Sequence, residues 1–377
     1  MNPALALLSV ALFTWGIGEG MFFYFQPIYL AELGADPIQI GTILGGAGVA
    51  MTMVHIPAGY LADRIGRLPL MRAAWSGGLL ATLVMAGTRS LPFFVAGLIL
   101  YSFTSFVMSP LNSYVTAARG KWRVERALTL ISATFSAGMI LGPLLGGWLG
   151  DRFGLRSIYI ASLGVFVISI LFMFSLPPQP VNGADPESSR VNLLKNNRYL
   201  IFLGVVFVTM FAMYLPQPLT PNFLQEIRSL SLGQIGLLGS LGAFGNVVLN
   251  LTLGQINARL GFIIGQFLTG LFALLIWRGS GMGAYGLAYF LLGGYRAARS
   301  LANAQVSNLV REAQMGLAYG LTETISALSL ILAPPLAGYL YINGPDSTYP
   351  FSLLLISLGI ILSLIFSPRP SKLLENP

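Results

Sequence analysis

Long apolar runs separated by short polar breaks make up most of the chain. A helix that crosses a bilayer needs ~20 apolar residues, and twelve runs approach or exceed that length. The first run is too long for a signal peptide and no cleavage site follows it, so we expect a retained helix. The pattern predicts an all-α membrane protein with twelve transmembrane helices. In chain order these predicted spans, numbered 1 to 12, cover residues 4–32, 38–62, 69–88, 92–118, 127–149, 156–176, 199–225, 233–258, 262–278, 283–309, 315–342 and 349–367.

The second half of the chain repeats the first. The triplet Gln-Ile-Gly at 39–41 returns 195 residues later at 234–236. The glycine- and proline-rich stretch at 140–147 returns 191 residues later at 331–338. A nearly constant offset through several helices indicates a duplicated helical bundle.

The repeat divides the chain into two six-helix, pseudo-symmetric bundles. We predict an N-terminal bundle at 1–176 and a C-terminal bundle at 198–377. The segment between them, 177–197, is rich in proline, serine and charge, which is typical of a loop. It is predicted to be a short cytoplasmic linker.

Composition supports a membrane protein. The chain is 55% hydrophobic and 9% charged, with a mean hydropathy of +0.74, whereas soluble domains are about 25% charged. There is no cysteine and His55 is the single histidine, so we expect no disulfide, metal site or cofactor. An enzyme would need a clustered nucleophile, base or metal set, and the sequence offers none.

The net charge of +8 is spread over many loops. Basic residues are more frequent in the loops on the side of the two termini. The positive-inside rule therefore places both termini in the cytoplasm. We expect the membrane to be the plasma membrane. The high pI could indicate nucleic-acid binding, but we find no basic patch interleaved with exposed aromatic residues. We therefore expect a lipid bilayer rather than nucleic acid as the partner.

A loop motif identifies the family. Residues 59–72 read GYLADRIGRLPLMR between two apolar spans, and this resembles the loop between helices 2 and 3 of major facilitator superfamily transporters. The resemblance implies alternating access, in which two bundles rock about a central site and this loop latches one state. The alternative is a plain basic loop that obeys topology. The second copy has Ala258 in place of the acid. The latch residues would be Gly59, Asp63, Arg64, Gly66 and Arg67, with Asp63 as the latching carboxylate.

Span 5 carries glycines at four-residue spacing around a proline, which resembles the antiporter motif of the superfamily. Small residues at this spacing let helices approach closely, and proline bends a helix. Ordinary helix packing and an antiport role both stay open. The motif residues are Gly138, Gly142, Pro143, Gly146 and Gly147.

Polar and aromatic residues recur every three or four positions on spans 1, 4, 7 and 10, which puts each set on one helical face. The family resemblance implies that these four spans line the central cavity. Polar contact between packed helices is the alternative. Prolines should interrupt span 7. The substrate-cavity candidates are Trp15, Phe22, Gln26, Ser109, Asn112, Tyr214, Gln217, Arg296, Arg299 and Asn303.

Charges inside spans need a reason, because each unpaired one costs ~2.5–3.5 kcal/mol on insertion scales. Glu19, Glu323 and His55 are the proton-coupling candidates. Glu19 lies among aromatic residues that favour a neutral carboxyl, and histidine changes charge near neutral pH. The two acids could also serve only to neutralise Arg296 and Arg299.

These features predict a secondary active transporter of a small organic solute, acting as a monomer by proton-coupled export. Uptake or exchange of an organic anion is an alternative that Arg296 and Arg299 favour. A lipid scramblase or a membrane enzyme is the alternative of another class. Drug–proton antiporters of the superfamily usually have an arginine and a Gln-Gly pair in span 4. Residues 100–108 of this chain contain neither, so this chain has no residue in span 4 for the proton-coupling role of that arginine.

Overall fold

The structure is a computed structural model that describes residues 2–178, 196–306, 308–310 and 315–368, with the backbone alone at 55–65, 109, 125, 316 and 317. Within these ranges the chain is helical and contains no strand. The predicted all-α fold is confirmed.

The described part of the first half contains eight α-helices and one 3₁₀ segment. Span 1 is divided between α1 and α2, and span 4 between α5 and α6. The helices are α1 (Pro3–Phe23), α2 (Gln26–Glu32), α3 (Pro37–Ile65), α4 (Arg67–Gly87), α5 (Leu91–Phe103), the 3₁₀ segment (Thr104–Val107), α6 (Met108–Ala118), α7 (Val124–Phe153) and α8 (Leu155–Phe174).

Seven α-helices occur where the structure describes the second half. Span 7 is divided between α9 and α10. The helices are α9 (Asn197–Tyr214), α10 (Thr220–Glu226), α11 (Leu232–Leu253), α12 (Ala258–Arg278), α13 (Gly281–Val306), α14 (Met315–Asn343) and α15 (Thr348–Phe366).

Eleven segments of the described chain are long and apolar enough to cross a membrane, and they correspond to all predicted spans except span 10. Span 10 coincides with α13, a helix of 26 residues that carries Arg296 and Arg299. Its two arginines lower its hydropathy. The prediction of twelve crossings is consistent with this arrangement.

The chain forms two compact units. The first comprises Met1–Asp36, Gly46–Asp185 and Leu224–Ser240, and the second comprises the remaining segments. The start of α3, residues 37–45, thus belongs to the second unit, and the start of α11 belongs to the first. The predicted bundle boundaries at 176 and 198 stay a prediction, and most of the predicted linker lies outside the described residues.

Among the described residues, three predicted spans, 1, 4 and 7, are interrupted as α-helices. Span 1 breaks at Tyr24–Phe25, where the Phe25 amide bonds to Phe22 O at 2.9 Å in a tight turn. Span 7 breaks after Tyr214, where Pro216 and Pro218 lack the N–H that a helix needs; this break was predicted. In span 4 the 3₁₀ segment turns the chain every three residues, so the predicted polar stripe does not follow one continuous α-helical face.

In the first unit α1 packs closely on α7. A Cβ atom added at Gly142 would lie 2.5 Å from Ile17 O, and one added at Gly146 would lie 2.1 Å from Met21 O. A Cβ atom is essentially never found this close to a non-bonded oxygen. The two backbones can therefore approach this closely only because glycine has no side chain. Gly138 lies against Phe13 O in the same row.

The repeated sequence elements meet each other in the structure. Gly41 and Gly236, which end the two Gln-Ile-Gly triplets, each lie against the carbonyl of a repeated proline. A Cβ at either glycine would come within 2.2 Å of that oxygen, Pro334 O for Gly41 in the second unit and Pro143 O for Gly236 in the first. The repeat therefore preserves one helix contact twice, between α3 and α14 and between α11 and α7.

The core of the second unit is aromatic and apolar. Tyr199, Phe202 and Phe262 are fully buried in it. The Tyr199 hydroxyl donates to Ala318 O at 2.7 Å, which joins α9 to α14. α12 and α13 approach through Gly265 and Gly294, where a Cβ on the first would lie 2.6 Å from the carbonyl of the second.

Candidate functional site

Glu19 lies on α1 between buried aromatic rings. The Tyr101 hydroxyl, on α5, donates a hydrogen bond to Glu19 Oε2 at 3.0 Å. Trp15 stacks on Phe166 with a centroid distance of 4.0 Å, and Phe22 meets Tyr101 edge to face at 5.3 Å. The carboxylate is half-buried, so it combines a polar partner with an apolar wall.

The side chains of the other span 1 candidates are too deeply buried in this structure to line a solute cavity. Phe22 is fully buried, and Trp15 and Gln26 are 8% and 9% exposed. Gln26 begins α2, beyond the break in span 1, so it does not continue the α1 face of Trp15 and Glu19. A solute could contact these three side chains only after their neighbours had moved.

A second polar cluster joins α13 to α14. Both Arg299 Nε and Arg299 Nη2 donate to Glu323 Oε2, at 3.1 and 2.6 Å. Asn303 Nδ2 donates to the other oxygen, Glu323 Oε1. The side chains of Arg299 and Glu323 are 31% and 43% exposed. Charges in contact with lipid are costly, so membrane-buried ion pairs face either the protein interior or a water-filled cavity.

The other candidates of spans 7 and 10 have these surroundings. Arg296 lies one helical turn before Arg299 and its side chain is exposed. Tyr214 packs against Tyr295 with a centroid distance of 5.8 Å. Gln217 is held at the span 7 break, where its Nε2 donates to Met213 O at 2.8 Å.

Span 4 contributes less than its spacing predicted. Asn112 is exposed, and its carbonyl accepts a hydrogen bond from Thr116 Oγ1 at 2.8 Å. Ser102 is buried and bonds to Leu98 O in its own helix. The side chain of Ser109 lies outside the described residues.

The predicted latch is described only in part. The side chains of His55, Asp63 and Arg64 lie outside the described residues, as does any contact of Gly59. Gly66 joins α3 to α4 with φ +88° and ψ 164°, a left-handed conformation that favours glycine. Arg67 is the first residue of α4.

Sequence reasoning missed Asp151. This residue lies at the end of α7, and its carboxylate accepts hydrogen bonds from the start of α11. Asp151 Oδ1 accepts the Leu232 amide at 2.8 Å, and Oδ2 accepts the Gly233 amide at 2.8 Å and Ser231 Oγ at 3.0 Å. Ser231 and Gln234 also form a capping box, so this helix start is fully capped.

A signal for Asp151 was present in the sequence. The stretch Gly147–Gly154 reads GWLGDRFG and matches GYLADRIG, the start of the loop motif, at an offset of 88 residues. Gly154 has φ +81° and ψ 163°, almost the conformation of Gly66. The chain therefore carries this motif on two interhelical turns, with Asp151 in the place of Asp63.

No group of three or more His, Cys, Asp or Glu side chains suited to a metal ion occurs where side chains are described. The candidate residues instead include two carboxylates with hydrogen-bond donors. Glu19 on α1 accepts from Tyr101, and Glu323 on α14 accepts from Arg299 and Asn303.

The comparisons with known proteins agree with this architecture. The Major Facilitator Superfamily profile matches residues 8–216 and 202–377. The chain belongs to this superfamily. Members of the family and the relatives found are transporters rather than enzymes, so the membrane-enzyme alternative is set aside.

Two sequence relatives illustrate the range of similarity. An uncharacterized MFS-type transporter of Methanocaldococcus jannaschii is 26% identical over 170 residues, and this alignment spans 44% of each chain. The multi-drug resistance efflux pump PmrA of Streptococcus pneumoniae serotype 4 is 25% identical over 347 residues, 85% of each chain. A variant of the nucleoside transporter NupG shares the fold with a TM-score of 0.84 at 16% identity, covering 96% of this chain and 98% of that one.

Proposed function

We propose that this superfamily transporter exports a small organic solute in exchange for protons. The observation that carries the proposal is Glu19, a half-buried carboxylate on α1 that Tyr101 binds among buried aromatic rings. A carboxyl group in such surroundings can change its protonation without a permanent buried charge. The likeness to the efflux pump PmrA over 85% of each chain supports export as the direction.

Alternating access is part of the proposal. Two contacts between α7 and α11 would hold one state of the transporter. They are the contact of Gly236 with Pro143 and the hydrogen bonds of Asp151 to the start of α11. Asp63 would hold the other state, as the resemblance of its loop implies. Asp151→Ala and Asp63→Ala should therefore shift the conformational balance in opposite directions, and shifts in the same direction would contradict two opposing latches.

Orientation and assembly complete the proposal. The charge distribution supports cytoplasmic termini and a plasma-membrane location. We propose a monomer, because one chain contains both halves of the pseudo-symmetric repeat.

The experiment uses purified protein in proteoliposomes and a panel of organic solutes. Solute counterflow, which needs no gradient, is compared with accumulation driven by a pH gradient. We expect Glu19→Gln to retain counterflow and to lose gradient-driven accumulation. Glu32→Gln, an exposed carboxylate at the end of α2, is the matched control and should retain both. Gradient-driven accumulation at the normal rate in Glu19→Gln would move the proton role elsewhere, with Glu323 as the next candidate.

A second candidate function is uptake or exchange of an organic anion. Arg296 favours it, because its side chain is exposed one turn from Arg299. Arg299 itself is occupied by Glu323, so an anion would have to displace that carboxylate. Under this reading Arg296→Lys weakens solute binding strongly, since lysine cannot form the two parallel bonds of an arginine, whereas Glu19→Gln leaves affinity nearly normal.

A further inference from the structure

The connection between α6 and α7 forms a shallow cavity of about 420 Å³. We call residues 119–126 the basic turn. The side chains that line the cavity are Arg119, Lys121, Trp122, Arg123 and Val124, and all three cations are exposed. None of these residues belongs to the Glu19 or Glu323 sites.

The basic turn has a defined shape. Gly120 has φ +60°, and the Trp122 amide closes the turn on Arg119 O at 3.2 Å. Arg119 Nη1 donates to Thr116 O at 2.7 Å, which fixes that side chain against the end of α6. The guanidinium of Arg126 lies 4.7 Å from the centroid of the Trp122 ring. Cations and an indole are therefore gathered around one depression.

Charge at the basic turn is unbalanced. Four basic residues, Arg119, Lys121, Arg123 and Arg126, stand against the single acid Glu125 in eight positions. Mutual repulsion of these cations is relieved by a bound anion. The aromatic residue of the basic turn is a single half-buried ring, Trp122.

The position of the cavity indicates which anion. It lies between two membrane-crossing segments, Leu91–Ala118 and Arg126–Phe153. Asn2 Nδ2 donates to Ala118 O at 2.8 Å, so the cavity is on the same side as the chain start. Tryptophan and basic residues at the end of a membrane helix lie at headgroup depth, and basic pockets there bind phosphate headgroups. Nucleic acid would need several free stacking rings, whereas the one indole here is already covered by Arg126.

We propose that the basic turn binds the phosphate headgroup of an anionic phospholipid, in the leaflet on the side of the N-terminus. The cations pair with the phosphodiester, and Trp122 anchors the turn at the interface. The site does not depend on the transported solute or on proton coupling, so it is tested without transport.

The test counts lipids retained by the full-length protein in native mass spectrometry. Purified protein in neutral detergent receives equal amounts of phosphatidylglycerol and phosphatidylcholine. Wild type should retain phosphatidylglycerol preferentially. The triple variant Arg119→Gln, Lys121→Gln, Arg123→Gln should lower that affinity by about tenfold or more, because each basic residue near the surface adds to anionic-lipid binding.

A matched control removes the same charge elsewhere. Arg89, Arg152 and Arg278 are exposed, and two of them also cover an indole, Arg152 over Trp148 and Arg278 over Trp277. The triple variant Arg89→Gln, Arg152→Gln, Arg278→Gln should retain phosphatidylglycerol as wild type does. An equal loss in both triple variants would overturn a specific site and leave only general attraction between charges.

Two further arms identify the ligand. Inorganic phosphate at millimolar concentration should not displace the lipid; displacement would assign the cavity to free phosphate. A single-stranded RNA oligonucleotide should bind no better to wild type than to the basic-turn variant, and a clear preference would assign the surface to nucleic acid. If the triple variant is not recovered as monodisperse protein, Lys121→Gln and Arg123→Gln are measured singly. Retention of wild-type affinity by both would overturn the proposal.

Discussion

Asp151 Oδ1 accepts the backbone N–H of Leu232 at 2.8 Å and thereby binds the end of α7 to the start of α11. The positive end of the α11 dipole faces this carboxylate, which adds an electrostatic attraction to the hydrogen bonds. Because Asp151 is exposed, salt screens part of that attraction. In the proposed alternating access, this contact would hold one of the two states.

Replacement of Asp151 by alanine should destabilise this contact. Loss of a helix-capping side chain costs about 0.5–2 kcal/mol, which corresponds to a shift of about two- to thirtyfold in the balance between states. The chain contains no cysteine, so Phe153→Cys and Ile227→Cys, both at exposed sites, accept spin labels cleanly. The distance distribution between the labels should broaden towards longer distances in Asp151→Ala. Asp346→Ala, an acid elsewhere on the surface, should leave it unchanged, and an unchanged distribution in Asp151→Ala would refute the role.

Gly236 should tolerate no side chain in the state described here. A Cβ at this position would lie 2.2 Å from Pro143 O, so Gly236→Ala forces α11 away from α7. We expect the same broadening of the label distances, together with slower transport. Gly204 has open space where its Cβ would lie, so Gly204→Ala is the control and should behave as wild type. Normal label distances in Gly236→Ala would show that the two helices are not in this contact in the membrane.

Tyr101→Phe should impair the Glu19 site without removing the aromatic ring. The substitution deletes the donor to Glu19 Oε2, and a hydrogen bond to a charged group contributes about 1.5–3 kcal/mol. We expect slower gradient-driven transport with counterflow largely retained. Tyr159→Phe is the matched control, because the buried Tyr159 hydroxyl in the same aromatic cluster has no hydrogen-bond partner among the described residues. Equal effects of the two changes would assign Tyr101 to packing alone.

Arg299 and Glu323 should show coupled effects. Arg299→Gln or Glu323→Gln alone leaves one charge without its partner, and we expect each to lower thermal stability and expression. The double variant should recover part of the loss. Contacting residues couple by about 0.5–3 kcal/mol, and the partial exposure of this pair favours the lower part of that range. Arg296→Gln, at an exposed position on the same helix, serves as the control. Additive losses in the double variant would argue against an ion pair in the membrane.

Sequence patterns predicted the helices well because long apolar runs are local features and the repeat is visible when one half of the sequence is compared with the other. The break of span 7 followed from Pro216 and Pro218. The break of span 1 at Tyr24 was missed although Pro27 marks it, because a proline has no N–H to bond to the carbonyl four residues earlier, here that of Phe23. The 3₁₀ segment at Thr104–Val107 was missed in the same way, since Pro110 has no N–H to bond to the carbonyl of Phe106.

The site was less predictable than the fold, because pairing depends on side chains from distant helices. Spacing alone grouped Arg296 with Arg299 but could not assign Glu323 to Arg299 rather than to Arg296. Nor could it find Tyr101 as the partner of Glu19, since 82 residues separate them. Asp151 was within reach, because a search for internal copies of the loop motif at 59–66 would have found residues 147–154.

The three-residue cluster on α13 and α14 has a property that an ordinary ion pair lacks. Arg299 uses only Glu323 Oε2, and Asn303 occupies Oε1 with its amide nitrogen. An amide side chain presents an acceptor oxygen when it turns over. If Glu323 takes up a proton on Oε1, Asn303 can rotate and accept the new O–H, so the carboxyl group keeps a partner on each oxygen in both charge states. An amide at this position can therefore pair with Oε1 whether that oxygen accepts or donates a hydrogen bond, whereas a leucine would leave it unbonded and an aspartate would repel the carboxylate.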